Sequence, residues 1–323
     1  MTNAIYNILN DMSEVLSIQQ LKVLQETLIN RLKETSEDSN SSINNMEYLD
    51  MFVAAKKIEG CSSRTIEYYR VTIRNLFQEI KVPVRQITTE DLREYLTKYQ
   101  LKNGCSKVTV DNIRRNLSSF FSWLEEEDHI LKSPIRRIHK VRTGTRVKET
   151  FSDESIELLR DNCNTIRDLA MIDLLVSTGI RVGELVHLNV EDINFEEREC
   201  IVYGKGNKER KVYFDARTKL HLQKYISTRI DKNPALFVTL DRPFKRLQIS
   251  GVEIRLRNLG RKLNIDKVHP HKFRRSMATK AIDKGMPIEQ VQRLLGHQQI
   301  DTTMHYAMVN QNNVKTSHRK FIA

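Results

Sequence analysis

One short stretch breaks an otherwise helical chain. From Cys200 to Phe214 the sequence reads CIVYGKGNKERKVYF, two β-rich runs on either side of a Gly/Asn/Lys turn, which predicts a β-hairpin. Ala235–Val238 offers a short third strand. Elsewhere apolar residues recur at three- and four-residue steps between capping signals, the pattern of amphipathic helices. Six prolines and eleven glycines in 323 residues also favour helix over a sandwich or barrel. The expected fold is mainly α: an all-helical domain followed by an α+β domain holding a small antiparallel hairpin sheet.

This length supports two cores. Residues 12–34 read as one amphipathic helix, with Val15, Ile18, Leu21, Leu24, Leu28 and Leu32 on its apolar face. Asp11, Glu14, Glu26 and Glu34 offset Lys22, Arg31 and Lys33, so it reads as a packing or protein-contact helix. The polar run Thr35–Asn45 reads as a flexible linker, which sets residues 1–45 apart. Residues 46–139 are expected to form a helical domain. One helix starts after Ser62 or Ser63, a second at the ITTED cap signal and a third after Ser106. The stretch Pro134–Lys148, PIRRIHKVRTGTRVK, is basic and poor in core pattern; it reads as an interdomain connection, with the linker proper at 140–150. The second domain, 151–323, opens where Ser152 caps a helix with an acidic first turn.

A net charge of +12 points to a polyanionic partner, normally nucleic acid. Arg64, Arg70, Arg74, Lys107, Arg114 and Arg115 sit off the apolar stripes of the helical domain, and Arg142 lies in the basic connection. They are expected phosphate contacts; the alternative is a solvated face. Cys61, Cys105, Cys163 and Cys200 form no CxxC pair, which suggests neither a zinc ribbon nor a disulfide framework but reduced thiols in a cytoplasm. The N-terminus lacks a signal-peptide pattern, and no stretch approaches the roughly 20 apolar residues of a membrane span. A cytoplasmic protein without membrane contact is expected.

Four stretches of the second domain carry groups suited to chemistry. In VSTGIRVGELVHL, Gly179 stops an apolar helix and Arg181 opens the next, a good phosphate seat; alternatively Arg181 pairs with Glu184, and Glu184 orients its guanidinium. In the hairpin turn GKGNKER, Lys205 sits between two glycines, with Lys208 and Arg210 after it. In HPHKFRRSMATKAI, His271 and Arg274 share a helix face at i, i+3. His269 and His271 make only a weak metal pair, since no Cys, Asp or Glu stands beside them at ligand spacing. In LLGHQQIDTTMHYAMV, His297 follows the helix stop at Gly296, and Tyr306 lies on the next short helix, capped by Asp301 or Thr302. Alone, Tyr306 would read as a packed core residue. Together the set matches metal-free attack on a phosphodiester. Two guanidiniums neutralise the transition state, an imidazole moves a proton, a lysine protonates the leaving oxygen, and a phenol with a pKa of about 10 attacks.

From about Met46 onward the chain resembles the tyrosine recombinase family, the phage-integrase and Xer-type site-specific recombinases, in TGIRVGEL, GKGNKER, HPHKFRRSMAT, LLGH and the tyrosine nine residues on. The resemblance implies that Arg181 and Arg274 are the catalytic arginines and Lys205 the general acid. It makes His271 the proton-transfer histidine and His297 a hydrogen-bonding partner of the scissile phosphate. Tyr306 becomes the nucleophile of a 3′-phosphotyrosyl link. It implies no metal and no cofactor, and a homotetramer on double-stranded DNA with paired inverted-repeat core sites; an accessory DNA-bending or directionality factor is compatible with it. Arg275 stands where the family often has histidine, so Arg275 is expected to add a phosphate contact or a salt bridge. Lys208 and Arg210 are further expected DNA contacts. The added N-terminal helix tilts the reading towards integration and excision of a mobile element. Xer-like dimer resolution, DNA inversion, a relaxing topoisomerase, a zinc nuclease and a catalytically silent DNA-binding regulator are the alternatives.

Overall fold

A computed structural model describes residues 8–9, 11–13, 15–37 (backbone only for 29–37), 44–142, 149–204, 209–297, 299–300 and 303–304. The chain separates into two compact units, Met1–Gly144 and Thr145–Ala323. Among the described residues no helix is long and apolar enough to cross a membrane.

In the first unit helix α1 spans Ile18–Glu37. It starts later than the apolar pattern because Ser17 and Gln20 cap each other: the Ser17 amide donates to Gln20 Oε1 at 3.0 Å, and the Gln20 amide to Ser17 Oγ at 3.4 Å. Four helices then form a bundle: α2 (Asn45–Ile58), α3 (Ser63–Glu79), α4 (Thr89–Asn103) and α5 (Lys107–Glu126). The predicted caps are in place. Ser62 Oγ accepts the Thr65 amide at 3.2 Å, Ser106 Oγ the Thr109 amide at 3.3 Å, and Thr88 and Asp91 form a reciprocal capping box.

Helix α2 is a fourth helix beside the three expected in residues 46–139, and it begins at Asn45, the last residue of the polar run. Asn44 caps it, and the Asn45 side chain clasps the loop after α3, donating to Val82 O at 2.9 Å and accepting the Val84 amide at 2.8 Å. Leu49, Phe52 and Val53 face inward at helical spacing. Phe52 packs edge-on to Tyr69 and Phe120, with ring centroids 5.2 and 5.3 Å apart. The basic stretch from Pro134 is likewise docked at its start. Ile135 is buried, Thr89 Oγ1 donates to Pro134 O at 2.7 Å, and the Val141 amide donates to buried Asp111 at 3.0 Å.

The second unit is built round α7 (Ile166–Thr178), whose Ala170, Met171, Leu174 and Leu175 have no solvent exposure. Helices α6 (Asp153–Asp161), α9 (Ala216–Ser227) and α11 (Pro270–Asp283) pack against it. Further helices in this unit are α8 (Val182–His187), α10 (Ile249–Lys262) and α12 (Ile288–Leu295). The sheet is antiparallel in the order β1 (Ile193–Asn194), β2 (Glu199–Tyr203), β3 (Glu209–Tyr213). Its third strand is therefore β1, while Ala235 and Val238 make only isolated bridges, to Asn189 and Arg246. Register places Cys200 opposite Val212 and Val202 opposite Arg210, and these four side chains face inward.

Asn45→Ala removes both hydrogen bonds to the 82–84 loop and should cost the helical unit about 1–3 kcal/mol. The single tryptophan, Trp123, lies in that unit's core. A urea titration followed by its fluorescence measures the loss directly.

Candidate active site

Two helices end on left-handed glycines, α7 at Gly179 (φ 60°) and α12 at Gly296 (φ 64°). Close packing adds to the backbone requirement. A Cβ on Gly179 would collide with the Met277 side chain, and one on Gly296 would stand 2.9 Å from Arg210 Cδ. Arg181 lies two residues beyond the first stop and His297 one beyond the second.

The last carbonyls of α12 have no intrahelical partner. Three arginines take them in succession. Arg210 Nε donates to Leu294 O at 3.0 Å, Arg274 Nη2 to Leu295 O at 2.5 Å, and Arg181 Nη2 to Gly296 O at 3.2 Å. Cations here also complement the negative end of the helix dipole. Arg274, 1% exposed, reaches back with Nη1 to Gly179 O at 2.8 Å, so one buried guanidinium ties the ends of α7 and α12 together.

Arg181 is the N-cap of α8, and its side chain is 38% exposed. Its amide donates to Glu184 Oε2 and its Nη1 to Glu184 Oε1, both at 2.8 Å. Glu184 takes the Arg181 amide, so that amide is not offered to an anion, whereas the part-exposed guanidinium is. Glu184 is buried and also receives Arg210, Nη1 on Oε1 and Nη2 on Oε2, each at 2.7 Å. Burial works to raise the Glu184 carboxyl, but hydrogen bonds from Arg210 and the Arg181 amide hold it below the usual carboxylate range.

His297 Nδ1 lies 2.9 Å from Oγ1 of fully buried Thr303. Burial first, then the charges of Arg274, Arg181, Arg210 and His271, push the His297 imidazole down to about 4. It is therefore neutral at pH 7. When Nδ1 accepts the Thr303 hydroxyl hydrogen, Nε2 carries a hydrogen that it can donate. His271 is exposed in the first turn of α11, whose N1 position is Pro270, and buried Arg274 follows one turn later.

The site thus gathers Arg181, Arg274, His297 and His271. Lys205, Lys208 and Tyr306 lie outside the described residues. Sequence reasoning missed Thr303, for which no local pattern gives a signal, and it placed Arg210 on the DNA-facing surface. Arg210 instead points inward; the signal was strand alternation, which puts it on the face of Val212. Arg275 donates from Nε and Nη2 to the Glu149 carbonyl, the Nε bond measuring 2.8 Å. In the helical unit Arg64, Arg74, Lys107, Arg115 and Arg142 are exposed. Arg114 is largely buried against Asp111 at 2.9 Å, and Arg70 is half-buried.

The depressed His297 value carries a pH signature. The folded ring titrates below the ordinary histidine value of 6.5, so folding favours the neutral ring. That stabilisation is complete above about pH 6.5 and declines as pH falls towards 4. Denaturant midpoints by circular dichroism between pH 7.5 and 4.5 should fall less steeply in His297→Gln than in the wild type.

Comparison with known proteins agrees with the fold. Residues 142–313 match the phage integrase family, and residues 48–130 match a phage integrase N-terminal SAM-like domain. Tyrosine recombinase XerA of Pyrococcus horikoshii is 30% identical over 293 residues, covering 90% of this chain and 96% of that protein. Tyrosine recombinase XerC of Leptospira interrogans is 31% identical over 297 residues, covering 88% and 95%. The Tn1549 transposon integrase, solved in complex with transposon right end DNA, has the same fold at 20% identity, with a TM-score of 0.70 over 85% of this chain and 99% of that one. With the family pattern spanning more than half of its residues and such relatives along nearly its whole length, the chain belongs to the phage integrase family, the tyrosine-type site-specific DNA recombinases.

Proposed function

We propose that this recombinase cuts DNA by attack of the Tyr306 oxygen on the scissile phosphorus. The bond to the 5′ oxygen breaks and a 3′-phosphotyrosyl link forms. Lys205 protonates the leaving oxygen and His271 takes the Tyr306 proton. Arg181 and Arg274 neutralise charge on the non-bridging oxygens, and neutral His297 donates a hydrogen bond to one of them. A 5′-hydroxyl from a second strand reverses the step, so each broken phosphodiester is matched by one made. The observation that carries this reading is the row of arginines on the last carbonyls of α12, directly before a histidine held neutral.

Double-stranded DNA with paired inverted-repeat core sites is the proposed partner, engaged by a homotetramer. In this reading 46–139 is the core-type DNA-binding domain, 140–150 the basic linker and 151–323 the catalytic domain. The exposed Arg64, Arg74, Lys107, Arg115 and Arg142 are its phosphate contacts. Residues 1–45 supply a protomer–protomer contact, since Val15, Ile18 and Val23 are 76, 87 and 63% exposed. Integration and excision of a mobile element is the biological setting proposed from the added N-terminal helix. Xer-like dimer resolution is the second, favoured by relatives named XerA and XerC that align over 96% and 95% of their own length.

Covalent adducts should be trapped from source genomic DNA under denaturing conditions, in EDTA, and their ends sequenced. Adducts at one or two defined sites, absent in Tyr306→Phe, are expected; the position of those sites distinguishes a mobile element from a dimer-resolution locus. Arg181→Ala should slow cleavage by about 100-fold or more. Adducts that persist in Tyr306→Phe, or that vanish in EDTA, would overturn the proposed chemistry. Deleting residues 1–40 should weaken cooperative assembly on paired sites in a gel-shift titration, and unchanged cooperativity would remove the protomer-contact role.

A further inference from the structure

We infer that Arg210 is a positioning residue which keeps the charge of Arg181 available to the substrate phosphate, by holding the Glu184 carboxylate in a competing bidentate pair. The inference rests on the proposed role of Arg181 as a phosphate clamp. Glu184 is one buried carboxylate shared by two guanidiniums. Arg210 meets it fork to fork, with two nitrogens on two oxygens at 2.7 Å each. Arg181 reaches the same carboxylate with one side-chain nitrogen, at 2.8 Å. One negative and two positive charges leave this cluster with a net positive charge. The better geometry belongs to the arginine whose side chain is 13% exposed, and the poorer one to the arginine whose side chain is 38% exposed.

Remove the Arg210 charge and the balance changes. The Glu184 side chain is only 3% exposed, and Arg181 is already bonded to it. The buried carboxylate would draw Arg181 into a closed bidentate pair, cancelling the charge meant for the phosphate. Arg210 also touches the other arms of the site: Nε holds Leu294 O at 3.0 Å, and its side chain fills the space in front of Gly296. It stands on β3, opposite Val202, five residues after Lys205 in the sequence. Arg210 therefore ties the hairpin to the Arg181 turn and to the end of α12.

The test uses single-turnover cleavage of a nicked duplex carrying the target recovered from the trapped adducts. Noncovalent affinity for the same DNA and the far-UV circular dichroism of each full-length variant are measured alongside. Arg210→Gln should cleave at least about tenfold more slowly at saturating protein, with DNA affinity little changed. Arg210→Lys, which keeps the charge without the fork, should lie much nearer the wild type. Glu184→Gln combined with Arg210→Gln removes the carboxylate that captures Arg181 and should regain at least about tenfold over Arg210→Gln alone. A merely structural clasp predicts the opposite order, with Arg210→Lys as slow as Arg210→Gln and no rescue in the double variant; that order, or wild-type cleavage by Arg210→Gln, overturns the inference. If Arg210→Gln does not fold, the lysine variant and the charge-matched double variant decide by the same comparison with wild type. Wild-type cleavage by Arg181→Ala would instead overturn the clamp reading on which the inference stands.

Discussion

The end of α12 leaves carbonyl oxygens that no helical amide can reach, and the second unit is organised around how they are satisfied. Arg210, Arg274 and Arg181 come from β3, α11 and the start of α8, and they meet on Leu294, Leu295 and Gly296. Arg274 adds Gly179, the end of α7. Elements from widely separated parts of the chain thus converge on one helix terminus. Both stops take a left-handed backbone that suits glycine, and a side chain at Gly296 would strike Arg210 itself.

This arrangement sets the electrostatics as well as the geometry. Burial first, and then the concentrated guanidinium charge, keep His297 neutral, while hydrogen bonds from Arg210 and the Arg181 amide keep Glu184 ionised although it is buried. A neutral hydrogen-bond donor and a fixed positive field are what a pentacoordinate phosphate requires from its surroundings. A fixed carboxylate is also present, and the sharing of Glu184 prevents it from neutralising the arginine closest to solvent.

Much of the architecture was legible from local signals. Ser62, Thr88, Ser106 and Ser152 mark helix starts that chain-local hydrogen bonding enforces, and Gly179 and Gly296 mark stops that only a left-handed residue allows. The hairpin followed from its alternation and its turn. Helix α2 has a weaker local signal, because its cap falls at the end of a polar run, where Asn44 and Asn45 bond to the backbone. Net charge was a coarser guide. It counted Arg167, Arg229, Arg246 and Arg274 with the rest, although each donates to backbone carbonyls inside the second unit, at Val238, Ala235, Val186 and Leu295 among others.

By itself the sequence determined the helical class, the hairpin, the family and the identity of the candidate catalytic groups, because caps, periodicity and motif spacing are properties of neighbouring residues. Only the tertiary structure decided where the charges point. A guanidinium on a strand or helix can face water or a distant carbonyl with the same local sequence around it. The choice for Arg210 rests on Glu184 and Leu294, 26 and 84 residues away. The partner of His297 is a buried threonine with no pattern to announce it. Those long-range hydrogen bonds exist once the helix ends have packed together, and they turn a list of basic residues into a site.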